Sequence, residues 1–333
     1  MSPDWAATAS LTAVLEVQDA ARRFGEVQAL DGVSFAAGAG EAVGLLGPNG
    51  SGKSTLIRCI VTLERLDSGS ILVDGADVAA QPARARQSLG YAGQEFALDK
   101  VLTGRELLRF TAGIVHLPRP EIAARVDEML GRLDLLGAAD RRIEGYSGGM
   151  KRRLDLAASL LHRPALLILD EPSSGLDLEA RRRLWSFLRD LRRDGTTLLV
   201  ATHDFEEADV LCDRLLLMSA GRVTASGSPQ LLRNALGSFV LGASLHEHPQ
   251  EGDTTRLEQL FHGIPGRPLP PDARRAELDW VLPAGVGEHD VQAFIARAQE
   301  RAHALGMPLF SLVLRKPTLE DVYRAAVRGL GHG

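Results

Sequence analysis

The sequence predicts an α/β core that carries an inserted helical lobe and is followed by a smaller α/β domain. Three observations predict it. EAVGLLG (residues 41–47) is an apolar run ending in glycine, and it leads through GPNGSGKST straight into a helix-forming stretch over 53–63. ALLILD (165–170) and TTLLVATH (196–203) are continuous apolar runs rather than alternating ones, the pattern of parallel strands covered on both faces. Between these strand blocks, over about 101–164, the texture is helical. Leu102, Leu107, Leu108, Phe110, Val126, Met129, Leu130, Leu133 and Leu136 recur there at three- and four-residue spacing.

Taken in order, residues 1–12 are small and polar and read as a flexible N-terminus. Over 14–35, short β-type runs such as LEVQDAARRF and ALDGVSF alternate with turn residues. The glycine-ended strand and its helix follow, then ILVDG (71–75) as a hairpin strand with a tight turn. HLPRP (116–120) breaks the helical block in its middle. A helix over 179–193 joins the two apolar strands and completes a βαβ unit, and LLLMSAGRV (215–223) adds a hairpin-like pair. A Gly-, Pro- and His-rich interval over 237–271 opens with the strand candidate SFVLGAS. The tail then alternates ELDWVLP as strand, DVQAFIARAQERAHAL as helix, PLFSLVLR as strand and TLEDVYRAAV as helix. Thr318 and Asp321 sit at the spacing of a capping-box variant. The expected domains are 13–237, with the helical lobe at about 101–163, and 238–333.

Bulk properties narrow the function. A chain of 333 residues suits one large domain and a smaller one, and 45% hydrophobic with 24% charged residues is ordinary globular composition. A net charge of -5 gives no support to a nucleic-acid binder, so no nucleic-acid partner is expected. The basic runs Lys151-Arg152-Arg153, Arg181-Arg182-Arg183 and Arg192-Arg193 lie in helical patterns with acids nearby and are expected as solvated helix faces. Cys59 and Cys212 lie far apart among apolar neighbours, which fits reduced buried thiols of a cytosolic protein. There is no basic flank leading an apolar core, and no apolar run nears the roughly 20 residues of a membrane-spanning helix. A soluble chain is expected, with any spanning left to another chain.

The chemistry concentrates in a few motifs. GPNGSGKST (47–55) fits G-x-x-x-x-G-K-[ST] between a buried strand and a helix, the context that motif requires. Gly47, Pro48, Asn49, Gly50, Ser51 and Gly52 would turn backbone N–H groups around a β-phosphate, with the helix dipole adding to the attraction. Lys53 would reach the β- and γ-phosphates, the Ser54 hydroxyl would ligate Mg²⁺, and Thr55 would touch the α-phosphate. LLILDEPSSGLD (166–177) places Asp170 at the end of a buried strand, where ligands sit in open α/β sheets, with Glu171 next to it. The aspartate can hold Mg²⁺ through its water shell, and the glutamate can orient or deprotonate an attacking water. His203 ends the next strand. Taken singly, the acid pair is as readily a helix cap and the histidine a strand-end cap; beside a phosphate loop they become a site. A second glycine turn, Ser147-Gly148-Gly149, starts a helix on the helical lobe. One nucleotide needs one phosphate loop, so this turn is expected to serve a nucleotide bound to another copy.

In this order the motifs resemble those of the nucleotide-binding subunit of ABC transporters, over about residues 14–237. The resemblance implies a RecA-like core with an antiparallel β subdomain and the helical lobe. It implies that Phe24 stacks on adenine, and that Gln94, in YAGQEFALDKVLTGREL, contacts Mg²⁺ and faces a membrane partner. YSGGM matches the family signature, LILDE its second acidic motif, SGLD with Asp177 the loop that communicates across the dimer, and His203 the switch histidine. Two departures stand out. Tyr146 and Met150 replace the leucine and glutamine of the usual LSGGQ, and Leu178 stands where proline often follows SGLD. The variant signature and the tail segment PTLEDVYRAAVRG (317–329) are similar to those of daunorubicin-resistance ATPases. That likeness implies an ATPase using ATP and Mg²⁺, a homodimer around two ATP, and separate membrane-spanning permease subunits. The chain would be cytoplasmic and peripheral at the inner face of the membrane, exporting a drug, antibiotic or other amphipathic small molecule. The alternative is a cassette ATPase acting on ribosomes or DNA. Such proteins typically carry two cassettes in one chain or a long coiled-coil insertion, and the HLPRP break argues against the latter.

Overall fold

In the computed structural model, which describes residues 13–94, 98–246, 253–270 and 278–328, the first described segment is a long hairpin. β1 (Ala13–Phe24) and β2 (Val27–Gly38) pair antiparallel, with register shifts along β1. Those irregularities interrupt the alternation, which is why this stretch reads in sequence as several short runs. The expected flexible N-terminus, residues 1–12, lies outside the described residues.

β3 (Ala42–Leu46) leads into α1 (Lys53–Ile60). β4 (Ser68–Val73) and β5 (Ala76–Asp77) return to the hairpin and complete an antiparallel sheet in the order β2-β1-β4-β5. Then come α2 (Pro82–Gln87), β6 (Leu89–Ala92), and the lobe helices α3 (Gly104–Ile114), α4 (Arg119–Arg132) and α5 (Gly148–Ser159). β7 (Leu166–Asp170), α6 (Leu178–Arg193), β8 (Thr197–Thr202), α7 (Phe205–Leu211), β9 (Arg214–Ser219) and β10 (Arg222–Gly227) complete the core.

The second sheet runs β10-β9-β3-β8-β7-β6, and its β9-β3, β3-β8, β8-β7 and β7-β6 pairs are parallel. Every residue of β3, β7 and β8 is buried, as their unbroken apolar runs require. Leu56, Ile57 and Ile60 of α1 share one core with Leu45, Ile168 and Leu199 of this sheet and with Leu15 and Phe35 of the hairpin. Each such side chain contributes about 1.5–3 kcal/mol. The parallel arrangement has one consequence for function: the C-terminal ends of β3, β8, β7 and β6 lie side by side in that order.

In the lobe, α3 starts with a reciprocal cap: Glu106 N donates to Thr103 Oγ1, and Thr103 N donates to Glu106 Oε2. HLPRP covers the end of the α3–α4 connection and the first two residues of α4. Leu107, Leu108, Val126, Met129, Leu130 and Leu133 are buried as their spacing predicts, but Phe110 and Leu136 are 63% and 51% exposed. Phe110 lies two residues from Leu108, about 200° around the helix, so it cannot share that buried face. The reading of the basic runs also needs correction at one position. Arg152 is 4% exposed, buried beneath α5 rather than solvated.

The described residues divide into two compact units at Ser226/Gly227, eleven positions before the boundary after Gly237 read from sequence. The difference is α8 (Pro229–Leu236), which packs on α11 (Leu319–Arg328) within the second unit. That unit further holds β11 (Phe239–Ser244), α9 (Asp253–Leu260), β12 (Arg267–Pro268), β13 (Leu278–Leu282), α10 (Glu288–Ala304) and β14 (Ser311–Arg315). Its sheet is antiparallel in the order β12-β13-β11-β14. Thr318 and Asp321 form the expected reciprocal cap of α11. Asp279 and Asp321, each 1% exposed, are paired with Arg315 and Arg324. Among the described residues no helix is long and apolar enough to cross a membrane.

Candidate functional site

The loop after β3 is shaped by places where no side chain fits. A Cβ on Gly47 would stand 2.4 Å from the Met218 carbonyl oxygen, and one on Gly52 would stand 2.5 Å from that of Ala29. Gly52 also has φ +105, a conformation that only glycine adopts at low cost. Pro48, Asn49 and Gly50 are exposed, while Ser51, Gly52 and Lys53 are buried. No side chain caps the start of α1, and the first N–H groups of a helix have no partner within it and suit an anion. Lys53 Nζ donates to the carbonyls of Gly47 at 2.7 Å and Pro48 at 3.0 Å. Burial presses its pKa down, against the pull of the Glu171 and Asp170 charges. Ser51 Oγ is buried without a partner, Ser54 is exposed and Thr55 half-buried.

Across the strand ends stands an acidic cluster. Asp170 is 5% exposed and its Oδ1 has no hydrogen-bond partner among the described residues. Burial pushes its carboxyl above the usual range, the neighbouring Glu171 charge adds to this, and Lys53 opposes it. Glu171 has φ +49, a left-handed backbone that costs a non-glycine residue about 1–3 kcal/mol. Its N–H donates to the Ala201 carbonyl of β8 at 2.8 Å. Its Oε1 lies 2.7 Å from Nδ1 of His203, just beyond the end of β8. The fold thus brings Lys53, Asp170, Glu171 and His203 to one edge of the sheet. An oxygen-rich pocket holding a buried ammonium and an unpartnered carboxylate oxygen suits phosphates and a hard cation.

The remaining sequence-predicted positions surround this edge or lie on other elements. Gln94 follows β6 and is exposed. Phe24, at the end of β1, is 42% exposed, and the Arg22 guanidinium lies 4.6 Å from its ring centre. Ser147 and Gly148 are exposed at the head of α5, with Ser147 Oγ accepting from Met150 N at 3.2 Å. A Cβ on Gly149 would lie 3.6 Å from Leu176, on the turn between β7 and α6. Asp177 caps α6, its Oδ1 accepting from Ala180 N at 2.8 Å.

Residues 30–174 match the family described as ABC transporter. The chain is 47% identical over 329 residues to the daunorubicin resistance ATP-binding protein DrrA2 of Streptomyces coeruleorubidus, covering 93% of each. The chain belongs to the ABC transporter family. It is an ABC ATP-binding subunit, and it hydrolyses ATP. It is similar as well to the daunorubicin/doxorubicin resistance ATP-binding protein DrrA of Streptomyces peucetius, at 38% identity over 80% of this chain and 82% of that one. Among solved structures, a dimeric ATP-binding cassette in a post-hydrolysis state with ADP and Pi matches at 25% identity and TM-score 0.59, over 64% of this chain and 98% of that one. The ribosome- or DNA-directed alternative is not favoured by these relatives.

Within the ABC frame the departures have local reasons. Tyr146 is 4% exposed and its hydroxyl donates to the Ala138 carbonyl at 2.7 Å, so the ring fills the leucine's place and finds a partner for its polar tip. A Cβ on Gly104 would stand 2.4 Å from that hydroxyl, which fixes glycine at the first turn of α3. Leu178 is 57% exposed and needs no partner inside this chain.

Sequence reasoning missed two buried polar groups. Glu207 is 1% exposed and accepts from Ser173 Oγ and Trp185 Nε1, fastening the turn after Glu171 to α7. Burial pushes its carboxyl up, with the Ser173 hydrogen bond opposing. Arg152 donates to the carbonyls of Asp170, Pro172 and Gly93. The basic run around it pointed to solvent, so the sequence carried no signal for this role.

Proposed function

We propose that two copies of this ABC ATPase close around two ATP molecules and thereby drive separate membrane-spanning permease subunits. The cargo is a drug, antibiotic or other amphipathic small molecule, moved outward. The observation that carries this reading is a division of labour. Lys53, Asp170, Glu171 and His203 converge on one sheet edge, while the Ser147–Gly148 turn stands exposed at the head of a different helix. Such a turn is suited to clasp the triphosphate of a second copy through its hydroxyl, its N–H groups and the helix dipole. The likeness to two daunorubicin-resistance ATP-binding proteins, one over 93% of the chain, supports export and the class of cargo.

Binding would begin with the phosphates. The glycine loop and the open start of α1 offer N–H groups, and Lys53 exchanges the Gly47 and Pro48 carbonyls for the β- and γ-phosphates. Phe24 supplies a flat face for adenine. Ser54, Gln94 and Asp170 would hold Mg²⁺, and the unpartnered Asp170 Oδ1 fits that task. When bound, Mg²⁺ neutralises phosphate charge. Glu171 accepts a proton from the attacking water. His203 holds one carboxylate oxygen of Glu171, leaving the other to face the water. Asp177, at the head of α6, communicates across the dimer. The chain sits at the inner face of the membrane through its permease.

The test is Glu171→Gln. This variant should bind ATP, sediment as a dimer in Mg-ATP, and turn over at least 100-fold more slowly. Wild-type turnover would remove Glu171 as the base. A monomer under saturating Mg-ATP would remove the two-copy clasp.

A further inference from the structure

Arg152 sits on the second turn of α5, the helix headed by Ser147, and its guanidinium faces away from solvent. Its Nε donates to the Pro172 carbonyl at 3.0 Å, Nη2 to the Asp170 carbonyl at 3.0 Å, and Nη1 to the Gly93 carbonyl. Two of these acceptors flank Glu171 in sequence. The third precedes Gln94. The planar fork of arginine presents donors in several fixed directions, so it can bind three divergent carbonyls at once from a buried position.

Glu171 needs such a clamp. It is held at φ +49, where a β-carbon is disfavoured, and strain of this kind persists only when the surroundings over-determine it. From one side, its N–H is tied to the Ala201 carbonyl of β8. From the other, the carbonyls of both neighbouring residues, Asp170 and Pro172, are tied to Arg152. The side chain is thereby aimed at His203.

We infer that Arg152 is a positioning residue for hydrolysis: it holds Glu171 in its left-handed conformation and links it to the Gln94 loop and the Ser147 turn. This rests on Glu171 acting as the base. The guanidinium acts through the main chain, on three backbone carbonyls. Any shift of α5 on clasping a triphosphate is passed through one side chain to the backbone on both sides of Glu171.

The test is a split between binding and turnover. Arg152→Gln should leave the Mg-ATP dissociation constant within threefold of wild type while lowering kcat ten- to a hundredfold, the scale expected for a displaced catalytic group. Arg152→Lys should fall between, because a compact ammonium keeps the charge but lacks the fork that reaches three separated carbonyls; it also serves if the glutamine variant fails to fold. In a Glu171→Gln background, adding Arg152→Gln should reduce kcat by less than twofold more, since both changes disable one step. Folded Arg152→Gln or Arg152→Lys protein with wild-type kcat overturns the inference, as does a dissociation constant that weakens in step with kcat. Low turnover in Glu171→Gln beside wild-type turnover in Arg152→Gln sinks this inference alone. Full turnover in Glu171→Gln sinks the base assignment and this inference together.

Discussion

His203 Nδ1 and Glu171 Oε1 lie 2.7 Å apart, joining the ends of two neighbouring parallel strands by one side-chain contact. The histidine is 61% exposed and the glutamate 12%, so an accessible ring restrains a sheltered carboxylate. Removing the ring frees the carboxylate to rotate without disturbing the phosphate loop. His203→Ala is therefore expected to bind ATP within about threefold of wild type and to lose on the order of 10²-fold in turnover. Steady-state hydrolysis beside a nucleotide titration checks this; near wild-type kcat would dismiss a role for the contact.

Phe24 is backed on one face by Arg22, which is itself anchored to Asp67 at 2.7 Å and Glu64 at 3.1 Å. A ring held that way offers its other face as a rigid platform. Arg22→Ala should weaken ATP binding about two- to fivefold, matching the modest worth of an exposed cation–π contact, and Phe24→Ala by more. Tripolyphosphate, which has no base, should bind both variants like wild type. Equal weakening of ATP and tripolyphosphate would show that the effect runs through the phosphate loop instead.

Gly50 and Gly52 separate two costs that a positive φ can carry. Gly50 has φ +81 with nothing within 4 Å of a built Cβ, whereas Gly52 has φ +105 with the Ala29 carbonyl oxygen at 2.5 Å. Gly50→Ala meets backbone strain alone, about 1–2 kcal/mol. Gly52→Ala must also displace main chain, and is expected to cost about 3 kcal/mol or more and to abolish nucleotide binding. Urea unfolding of both variants measures the difference, and equal losses would count against a steric role for the Ala29 carbonyl.

Much of the site could be read in the sequence because its chemistry is local. GPNGSGKST and LILDE each carry loop, strand end and charge within a dozen residues, and buried parallel strands announce themselves by unbroken apolar runs. What escaped the reading depends on distant contacts. Phe110 and Leu136 keep helical spacing yet face outward, since spacing alone does not say which face is covered. Arg152 looked solvated because its partners are backbone carbonyls 18 to 59 positions away, which leave no trace in side-chain pattern. The helices α2, α7, α8 and α9 were missed because each runs only about two turns, too short for a period to show.

Asp155, one turn beyond Arg152 on α5, gives a pH signature. Burial pushes its carboxyl from 3.8 up to about 6, and Arg152 pulls it back only in part. The two side chains approach within 3.9 Å, and Asp155 Oδ2 is buried without a hydrogen-bond partner, so the desolvation cost outweighs the pairing. A carboxyl raised in the folded state supports folding fully below its unfolded value, near 4, and loses that contribution as pH rises through about 6. Asp155→Asn lacks this loss. Its stability relative to wild type should improve between pH 5 and pH 8, by roughly 1.4 kcal/mol, as read from urea midpoints. A gap that stays flat across that window would mean the carboxylate is well paired after all.

The second unit rests on a different charge balance. Asp279 accepts from Arg315 at 2.9 Å and from Arg324, while Asp321 accepts from Arg315 and from Thr318 N at 2.8 Å. Burial pushes Asp321 up, but the Arg315 and Thr318 hydrogen bonds more than offset it and hold its carboxyl below the usual range. Both carboxylates are 1% exposed, so deleting one leaves two guanidiniums facing a single acid in a poorly solvated place. Breaking such a network from one side costs about 3–5 kcal/mol, more than its net worth when whole. Asp279→Ala should accordingly lower the protection of β11 and β13 amides in hydrogen exchange by that amount. Residues of β3, β7 and β8, whose core contains none of these charges, should keep theirs, and ATP binding should persist. If protection falls equally in both units, the two do not unfold as separate bodies, and the network stabilises the whole chain.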